Sequence, residues 1–368
     1  MISTDVFVVG GGPAGLALAI AAREQGLRVM VADGAQPPID KACGEGFLPD
    51  GLEALQRLGI HGPLDGRPFC GIRFVSTERE AESVFPTGTY GFSIRRTILH
   101  QAMIDRAEHM EAELLWQTPV IGIMDDGVRL ADRAIRARWI VGADGSNSRV
   151  RHWAGLDSAS RPRLRYAFRR HYRVAPWTNH MEVHWGENCQ GYATAVNDEQ
   201  VCVALASRNP HTRVEDGLRE LPKLRARLEG AEIISSERGA VTGNQKLRHV
   251  ARGNVALVGD ASGTVDAITG EGMGLAFTQA VALAKGLATG NLDAYEVEHR
   301  KLTLRPRLMA RLMLLMDRRP RLQHRTLQVF REHPEIFQRL IALHLGILPP
   351  TDLVWDGLTL GWGLLRAS

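Results

Sequence analysis

The chain contains few cysteines, and their spacing excludes the structures that cysteines usually stabilise. Cys43, Cys70, Cys189 and Cys202 are scattered over 368 residues, with no Cys-x-x-Cys pair and no Cys or His spacing typical of a zinc site. We therefore expect neither a disulfide framework nor a bound metal ion. A reducing cytoplasm is the compartment that suits such a chain.

Long apolar runs and a strong net charge are also missing. No run approaches the roughly 20 residues that a membrane-spanning helix requires, and the first predicted strand begins so early that we expect no signal peptide before it. The formal net charge is only +4, and no basic stretch is interleaved with aromatic residues, so we expect no nucleic-acid partner. The length favours two domains, or one nucleotide domain that carries an insertion.

The first motif present is a glycine-rich turn between a strand and a helix. Residues 5–9 are apolar, and the turn follows at once: Gly10, Gly12, Pro13, Ala14 and Gly15. In a βαβ unit such glycines allow a tight turn, a close approach to a diphosphate, and close packing of the helix on the strand. A plain connecting turn is the alternative. The alanine-rich helix that follows, and Asp33 at the end of the next strand, where a carboxylate binds ribose, favour a dinucleotide site.

Two further apolar strands end in glycine and an acid. The first ends at Asp144 and Gly145, and the second at Gly259 and Asp260. Ligands of open α/β sheets bind at the carboxyl ends of the strands. A small-residue helix then opens with three residues whose backbone we expect at a ligand: Gly270, Gly272 and Met273.

Two other segments allow two interpretations each. The loop containing Cys43, Gly44 and Glu45 follows the first βαβ unit, and it either lies along a bound cofactor or is a flexible connection. Arg96 stands at a predicted helix start, where it is either a phosphate or flavin contact or an ordinary exposed arginine.

Residues 161–250 have the pattern of an antiparallel sheet with one helix at residues 214–228, and we interpret this sheet as a wall of the substrate site. Period-two alternation puts Tyr166, Phe168, Arg170 and Tyr172 on one face. Farther along, we interpret His184 as an ordinary strand histidine and Trp185 as a wall of the pocket.

Residues 300–331 carry ten Lys or Arg and a single acid, Asp317, among apolar residues. Such a basic amphipathic segment either packs its apolar face on its own protein, which is the commoner case, or contacts an anionic membrane surface.

In their order along the chain, the three strand-end motifs resemble those of the FAD-dependent monooxygenase superfamily with the fold of para-hydroxybenzoate hydroxylase. The resemblance covers most of residues 1–300. It implies an α/β fold (α+β overall): a Rossmann-like FAD-binding domain with an inserted antiparallel-sheet substrate domain and a helical C-terminal region. The implied bounds are 1–70, 91–160 and 251–300 for the FAD-binding domain, 71–90 and 161–250 for the substrate domain, and 301–368 for the helical region.

The resemblance also implies site roles. The glycine turn would contact the FAD diphosphate and Asp33 the ribose, while Arg96, in an Arg-x-x-Leu pattern, and Asp260 would contact FAD. Asp144 and Gly145 would support the diphosphate and, in many relatives, the nicotinamide donor. Because no second glycine-rich nucleotide unit is present, NAD(P)H would bind only transiently as the reductant, or a partner would deliver electrons.

The finer motifs resemble the geranylgeranyl reductase branch. These are Ser262-Gly263, the segment 269–273, Gly191-Tyr192-Ala193, and Cys43-Gly44-Glu45-Gly46, although that branch usually has Cys-Gly-Gly. The Trp-x-Trp-x-Ile-Pro signature of flavin-dependent halogenases is absent.

Three functions follow. A monooxygenase (hydroxylase or epoxidase) of a hydrophobic aromatic, polyketide or isoprenoid-like substrate is slightly favoured, because monooxygenases predominate in the superfamily. A carbon–carbon double-bond reductase is the alternative, and its proton donor would be Cys43, Glu45 or Tyr192, with His184 behind them. A non-catalytic flavin-binding scaffold is the third. No motif indicates an oligomeric state.

Overall fold

The computed structural model describes residues 3–61, 64–158 and 163–348. In chain order its strands are β1 (Ser3–Val9), β2 (Val29–Ala32), β3 (Gly46–Phe47), β4 (Gly66–Phe69), β5 (Gly71–Val75), β6 (Glu80–Val84), β7 (Gly91–Ile94), β8 (Glu113–Leu115), β9 (Gly122–Met124), β10 (Gly127–Arg129), β11 (Ala134–Gly142), β12 (Leu164–Arg173), β13 (His180–Trp185), β14 (Cys189–Ala195), β15 (Gln200–Ser207), β16 (Glu232–Ile233), β17 (Arg238–Gly243), β18 (Ala251–Arg252) and β19 (Val255–Leu257). Its α-helices are α1 (Pro13–Glu24), α2 (Pro49–Arg57), α3 (Arg96–His109), α4 (Arg149–Trp153), α5 (Val214–Glu220), α6 (Pro222–Arg227), α7 (Gly272–Thr289), α8 (Leu292–Asp317), α9 (Pro320–Glu332) and α10 (Pro334–His344).

The first sheet is mostly parallel and has the strand order β18-β19-β11-β1-β2-β8, with β10 paired to β11 and β9 to β10. From β1 the chain continues to β2 on one side and returns later to β11 on the other, and both pairs are parallel. The carboxyl end of β1 is therefore a topological switch point, where open α/β sheets bind ligands. This sheet and the helices on it confirm the Rossmann-like fold predicted from the sequence.

Small residues let the helices of this part pack closely. A Cβ atom on Gly15 would lie 1.9 Å from the carbonyl oxygen of Gly10, and one on Gly274 would lie 2.6 Å from the Cα of Gly51. Helix α1 therefore packs tightly behind the turn, and α2 and α7 touch backbone to backbone.

The second sheet has the order β16-β12-β15-β14-β13-β5-β6, with β17 beside β12. It is antiparallel except for the pair β13 and β5. Phe168 and Tyr172 of one face pack in a buried cluster with residues of α5 and α6, such as Leu218 and Leu224. The residues that alternate with them on β12 point to the first sheet.

One local expectation was wrong. The predicted helix 214–228 is two helices, because Pro222 lacks the N–H that a continuous helix needs and Leu221 before it is not helical (φ −121°, ψ 67°). Strand β7 pairs with β3 and β4 in a small third sheet.

The C-terminal part is helical, as expected, through α8, α9 and α10. Phe330 and Phe337 stack on each other and on Phe74 of the second sheet, so these helices cover one end of that sheet. Residues 349–368 of the predicted helical region lie outside the described residues, and the domain bounds stay a prediction. Among the described helices, none combines the length and apolarity needed to cross a bilayer.

We expect Gly274→Ala to lower the free energy of unfolding by about 1–3 kcal/mol, because the added methyl group would press α7 against the backbone of α2. Gly272→Ala, two residues earlier, is the matched control, because a Cβ there meets nothing within 4 Å. Urea denaturation of both variants measures the difference. Equal stability of the two would contradict the packing described.

Candidate functional site

A cavity of about 720 Å³ lies between the two sheets, at the carboxyl end of β1. This volume is within the range of about 300–1,000 Å³ typical of ligand sites. Its lining includes every predicted cofactor residue except Gly15, which lies behind the turn: Gly10, Gly12, Pro13, Ala14, Asp33, Cys43, Gly44, Arg96, Asp144, Gly145, Gly259, Asp260, Gly270, Gly272 and Met273. Glu45 and Tyr192, the other predicted catalytic residues, line it as well.

The glycine turn brings the start of α1 to the cavity. Gly10 has φ +112°, and a Cβ there would lie 2.5 Å from the carbonyl oxygen of Ala143 on the neighbouring strand end. Gly12 precedes α1, no side chain caps the helix, and a Cβ on Gly12 would meet nothing within 4 Å. The first amides of α1 are therefore open to an anionic group.

Two side chains hold this turn in place. Asp33 accepts the N–H of Gly11 at 2.8 Å through Oδ2 and that of Ala35 at 2.8 Å through Oδ1. His100 accepts the N–H of Ile39 through Nδ1 (3.3 Å), so its Nε2–H donates to the carbonyl oxygen of Gly11 (2.8 Å). Burial lowers the pKa of His100, which agrees with a neutral ring. Sequence reasoning missed His100, because no motif surrounds it.

Asp144 has a structural part in the next strand end. Its Oδ1 accepts the Ser148 hydroxyl proton, and its Oδ2 accepts the N–H groups of Arg149 (2.7 Å) and Val150 (3.2 Å) at the start of α4. The carboxylate is therefore engaged by its own chain, and what this segment offers a ligand is mainly backbone.

The opposite end of the cavity is formed by the start of α7. No side chain caps this helix, and a Cβ on Gly270 or Gly272 would meet nothing within 4 Å. Asp260 is exposed to the open cavity but otherwise enclosed by protein, which raises its pKa, while Arg96 and Lys41 act in the opposite direction. The Nε of Arg96 is buried without a hydrogen-bond partner.

These features fit FAD. A dinucleotide offers a diphosphate to the open amides of α1, and a flavin offers ring oxygens and nitrogens to the open amides of α7 and to the unpartnered Nε–H of Arg96. The absence of Cβ atoms at Gly12, Gly270 and Gly272 leaves room along the whole path.

Two protonated acids, Cys43 and Tyr192, line the cavity. Burial raises the pKa of the Cys43 thiol, which the Arg96 guanidinium partly offsets, and the N–H of Glu45 donates to Cys43 Sγ at 3.3 Å. Burial also raises the pKa of Tyr192, whose hydroxyl donates to Gln190 Oε1 at 3.0 Å. Both groups therefore keep their protons at neutral pH.

The third predicted donor, Glu45, is engaged elsewhere. Its carboxylate accepts the N–H of Arg96 (3.0 Å) and the Nε2–H of His171 (2.6 Å). With a side chain only 1% exposed, it is not placed to give a proton to a ligand directly.

Trp185 is not a wall of the cavity, contrary to the sequence interpretation. Its ring stacks on Phe74 (centroids 4.9 Å apart) under α9 and α10. His184 points to the opposite face of the sheet from Tyr192 and bonds Glu182 Oε2 at 2.9 Å, so it is not behind the cavity donors.

Alanines form the floor of the cavity on the second sheet. Ala240, Ala167 and Ala206 stand side by side on β17, β12 and β15, and Ala204 lies next to them. Larger side chains at these positions would fill the space. Sequence reasoning missed this floor, because alanine in a strand gives no signal until the register is known.

A buried carboxyl lies just behind the start of α7. Burial and the charge of Asp50 raise the pKa of Glu271 to about 8, against an opposing effect of Arg305. Burial lowers the pKa of the neighbouring His344 to about 4, and the two side chains are 3.6 Å apart. At neutral pH both are mainly uncharged, so the start of α7 carries no full negative charge of its own.

Glu271→Gln tests this arrangement through the pH dependence of stability. The folded protein keeps a proton that the unfolded chain releases above about pH 4.5, so Glu271 makes the free energy of unfolding fall as pH rises to about 8. The free energy of unfolding of the variant should therefore exceed that of the natural protein by an amount that grows between about pH 4.5 and pH 8 and is constant above pH 8. Urea denaturation at a series of pH values measures it, and a constant difference would contradict the raised pKa.

Comparison with known proteins identifies the family. Residues 3–291 match the family described as FAD binding domain. The menaquinone reductase of Mycolicibacterium smegmatis is 28% identical over 324 residues, 79% of this chain and 78% of that protein. The digeranylgeranylglycerophospholipid reductase of Methanocella arvoryzae is 26% identical over 322 residues, 79% of this chain and 77% of that protein. The rifampicin monooxygenase of Streptomyces venezuelae is 30% identical over 171 residues, 43% of this chain and 35% of that protein.

Solved structures show the same fold. A flavoprotein/dehydrogenase from Cytophaga hutchinsonii superposes with a TM-score of 0.83 at 16% identity, covering 100% of both chains. A geranylgeranyl bacteriochlorophyll reductase-like protein from Thermoplasma acidophilum has a TM-score of 0.72 at 19% identity, covering 84% of this chain and 87% of that one. The resemblance read from the strand-end motifs is confirmed: the chain belongs to the FAD-binding domain family and is an FAD-dependent oxidoreductase.

Proposed function

We propose that the chain reduces a carbon–carbon double bond in a hydrophobic, isoprenoid-type lipid. The observation that carries this proposal is the pair of protonated acids, Cys43 and Tyr192, on the wall of one cavity. Saturating a double bond adds a hydride to one carbon and a proton to the other. Hydroxylation needs no protein acid at the substrate carbon, whereas reduction does.

The open amides at Gly12 support a diphosphate position there, and Asp33 retains lone pairs for a ribose hydroxyl. The start of α7, with Gly270, Gly272 and Met273, supports a flavin ring position beside Cys43. Reduced FAD, when bound, supplies the hydride. NAD(P)H, visiting the cavity transiently, is the reductant we propose.

Tyr192 is the first candidate proton donor. Its hydroxyl is bonded to Gln190, which also accepts Arg165 Nη2 at 2.9 Å, and Arg165 is paired with Asp266 at 2.9 Å. The Arg165 guanidinium favours the phenolate left after proton donation, against the larger opposing effect of burial on the pKa of Tyr192. Cys43, on the loop between β2 and β3, is the second candidate proton donor.

The substrate class follows from the floor of the cavity and from the relatives. Four alanines offer a shallow apolar surface, which suits a narrow hydrocarbon chain better than a polar ligand. The two reductases compared above each match 79% of this chain, and their names indicate menaquinone and a digeranylgeranyl glycerophospholipid as substrates. A lipid with an isoprenoid chain is the chemistry they share.

A monooxygenase of a hydrophobic aromatic, polyketide or isoprenoid-like compound is the second candidate. The specific observation in its favour is the 30% identity to a rifampicin monooxygenase, although this match spans only 43% of the chain. The same alanine floor would hold an apolar substrate away from water.

We expect the FAD-loaded protein, given a chemical reductant without oxygen, to convert a polyprenyl substrate to a product heavier by two hydrogens. Tyr192→Phe should lower kcat by about 10²–10⁴-fold if the phenol is the proton donor, and Cys43→Ala distinguishes the second acid. Mass spectrometry of the lipid and the FAD content of each variant are the measurements. His184→Gln, on the opposite face of the sheet, is the control.

Product that forms only with oxygen and gains one oxygen atom would replace the reductase with the monooxygenase. If protein that carries FAD forms neither product from a panel of isoprenoid and aromatic substrates, the result would favour the non-catalytic scaffold.

We also propose that α8 contacts an anionic membrane surface. Leu304, Leu308, Leu312 and Leu315 are exposed, Leu304 by 71%, and their spacing puts them on one helix face. Arg311 is exposed on the same face, and residues 299–316 contain no acid. An apolar face with basic residues and no acids complements an anionic bilayer.

Leu304→Ser with Leu308→Ser should abolish most co-sedimentation with vesicles of phosphatidylglycerol and phosphatidylcholine. Arg311→Gln should weaken it by about 1 kcal/mol, or roughly fivefold. Ile233→Ser, at an exposed apolar residue of the second sheet, is the control and should leave binding unchanged. Absence of binding by the natural protein, or equal binding to neutral vesicles, would contradict membrane contact.

A further inference from the structure

We propose that His171 is a positioning residue for the Cys43 thiol, acting through Glu45 along a buried chain of hydrogen bonds that begins at Asp40. The proposal rests on the proposed function only where it treats Cys43 as a proton donor in the reaction. The contacts, and the reactivity of the Cys43 thiol, do not depend on which substrate is used.

The chain of contacts starts with a fully buried arginine. Arg169 is 0% exposed, pairs with Asp40, and donates to the carbonyl oxygen of Lys41 at 3.3 Å. Asp40 also accepts Arg238 Nε at 3.1 Å. Both of these Arg169 contacts use Nη2, which leaves Nη1 to approach His171.

Arg169 and Ser235 together determine which nitrogen of His171 carries the proton. Ser235 Oγ lies 2.9 Å from His171 Nδ1 and accepts the N–H of His171, so its own hydroxyl proton can be donated to that nitrogen. Arg169 Nη1 lies 3.1 Å from the same nitrogen, and a guanidinium can only donate. Nδ1 therefore accepts, and the proton of the neutral ring is on Nε2. That Nε2–H donates to Glu45 Oε2 over 2.6 Å, a short contact of the kind expected for a charge-assisted hydrogen bond.

Glu45 transmits this constraint to the backbone. Its other carboxylate oxygen accepts the N–H of Arg96 at 3.0 Å, so the side chain is held at both oxygens. Its φ of +59° lies in the left-handed region, which a residue with a Cβ adopts only where surrounding contacts hold it. This conformation directs the N–H of Glu45 to Cys43 Sγ, 3.3 Å away.

The last contact bears on the chemistry of the thiol. An N–H that donates to sulfur favours the thiolate, and it also fixes the direction of the sulfur in the cavity. Without His171, Glu45 Oε2 would be left buried without its donor, and the strained turn would relax. We therefore expect the pKa of Cys43 to rise further and its orientation to be lost.

A metal ion is the alternative use of these residues. One nitrogen, oxygen or sulfur atom from each of Glu45, His171 and Cys202 lies within 4.8 Å of the others. The hydrogen bond from His171 to Glu45 already accounts for that closeness. Cys202 is a poor ligand, since burial raises its pKa well above the ordinary value, and its thiol donates to the carbonyl oxygen of Cys43 (3.6 Å).

The second sheet, which carries His171, also contains a comparable histidine–glutamate pair that does not reach the cavity. His184 Nε2 bonds Glu182 Oε2 at 2.9 Å, and both side chains are buried on the opposite face. The two pairs have the same chemistry and similar burial, so a comparison of His171 with His184 separates positioning of Cys43 from the general cost of removing a buried histidine.

The test is the pH dependence of Cys43 alkylation by iodoacetamide in the FAD-loaded protein, followed by mass spectrometry of the Cys43 peptide. In His171→Leu the midpoint of this dependence should move up by about one pH unit, equivalent to a tenfold loss of thiolate at a given pH. His171→Gln, whose amide can still donate to Glu45, should stay close to the natural protein. His184→Leu should leave the midpoint unchanged.

Steady-state kinetics gives a second readout, since His171→Leu should lower kcat more than it raises KM. If His171→Leu does not fold, His171→Met takes its place, and Glu45 is kept unchanged because its own charge raises the pKa of Cys43. An unchanged midpoint in a folded His171→Leu or His171→Met protein, or an equal shift in His184→Leu, would overturn the proposal. Failure of the reductase assay with a shifted midpoint would reject only the proposed function. Zinc binding at one equivalent that is lost in Cys202→Ala would replace positioning with a metal site.

Discussion

The close approach of backbone at the carboxyl end of β1 is the constraint on which the site depends. A side chain at Gly10 would strike the carbonyl group of Ala143, and one at Gly15 would strike the carbonyl oxygen of Gly10 itself. Only with glycine at both positions can β11 stay beside β1 while α1 starts directly behind the turn. The helix then points its open amides into the crevice where the strand order reverses. At this point the turn after β1, the end of β11 and the start of α1 meet without side chains between them, and this leaves the space of the cavity.

The strand-end motifs were predictable because each depends on a few adjacent residues. A glycine that relieves a clash, a proline that begins a helix and an apolar run that ends in an acid are visible in the sequence. Their order along the chain then indicated a single cofactor site. The structure brings the predicted cofactor residues other than Gly15 to one cavity. The reaction type was not predictable in this way, because the motifs concern the cofactor and the second sheet, which forms the other wall of the cavity, carries no comparable motif.

What could not be predicted depends on register and on long-range packing. Alternation along β12 separated two faces, but Tyr166 and Tyr172 belong to the face that packs on α5 and α6, and nothing in the strand itself says which face a second domain will cover. The alanines of the floor become a surface only when Ala167 stands between Ala206 and Ala240. Trp185 was assigned to the cavity because large aromatic residues often line pockets. In the structure it is instead buried in a cluster with Phe74, Phe330 and Phe337.

The second sheet supplies the histidine of two buried histidine–glutamate pairs, and these pairs show that position, not residue type, determines what a residue can do. Each pair satisfies its own polar atoms, and each would pass as ordinary core chemistry. The pair on the outer face ends in its own strand and in Arg73 and Trp177. The pair on the inner face includes Glu45, the one member of either pair that belongs to a loop of the cofactor site. The hydrogen bond between His171 and Glu45 therefore ties the loop that carries Cys43 to the second sheet. A sheet that only enclosed the cavity would not need that link, so the second sheet holds the loop that carries Cys43 as well as forming a wall of the cavity.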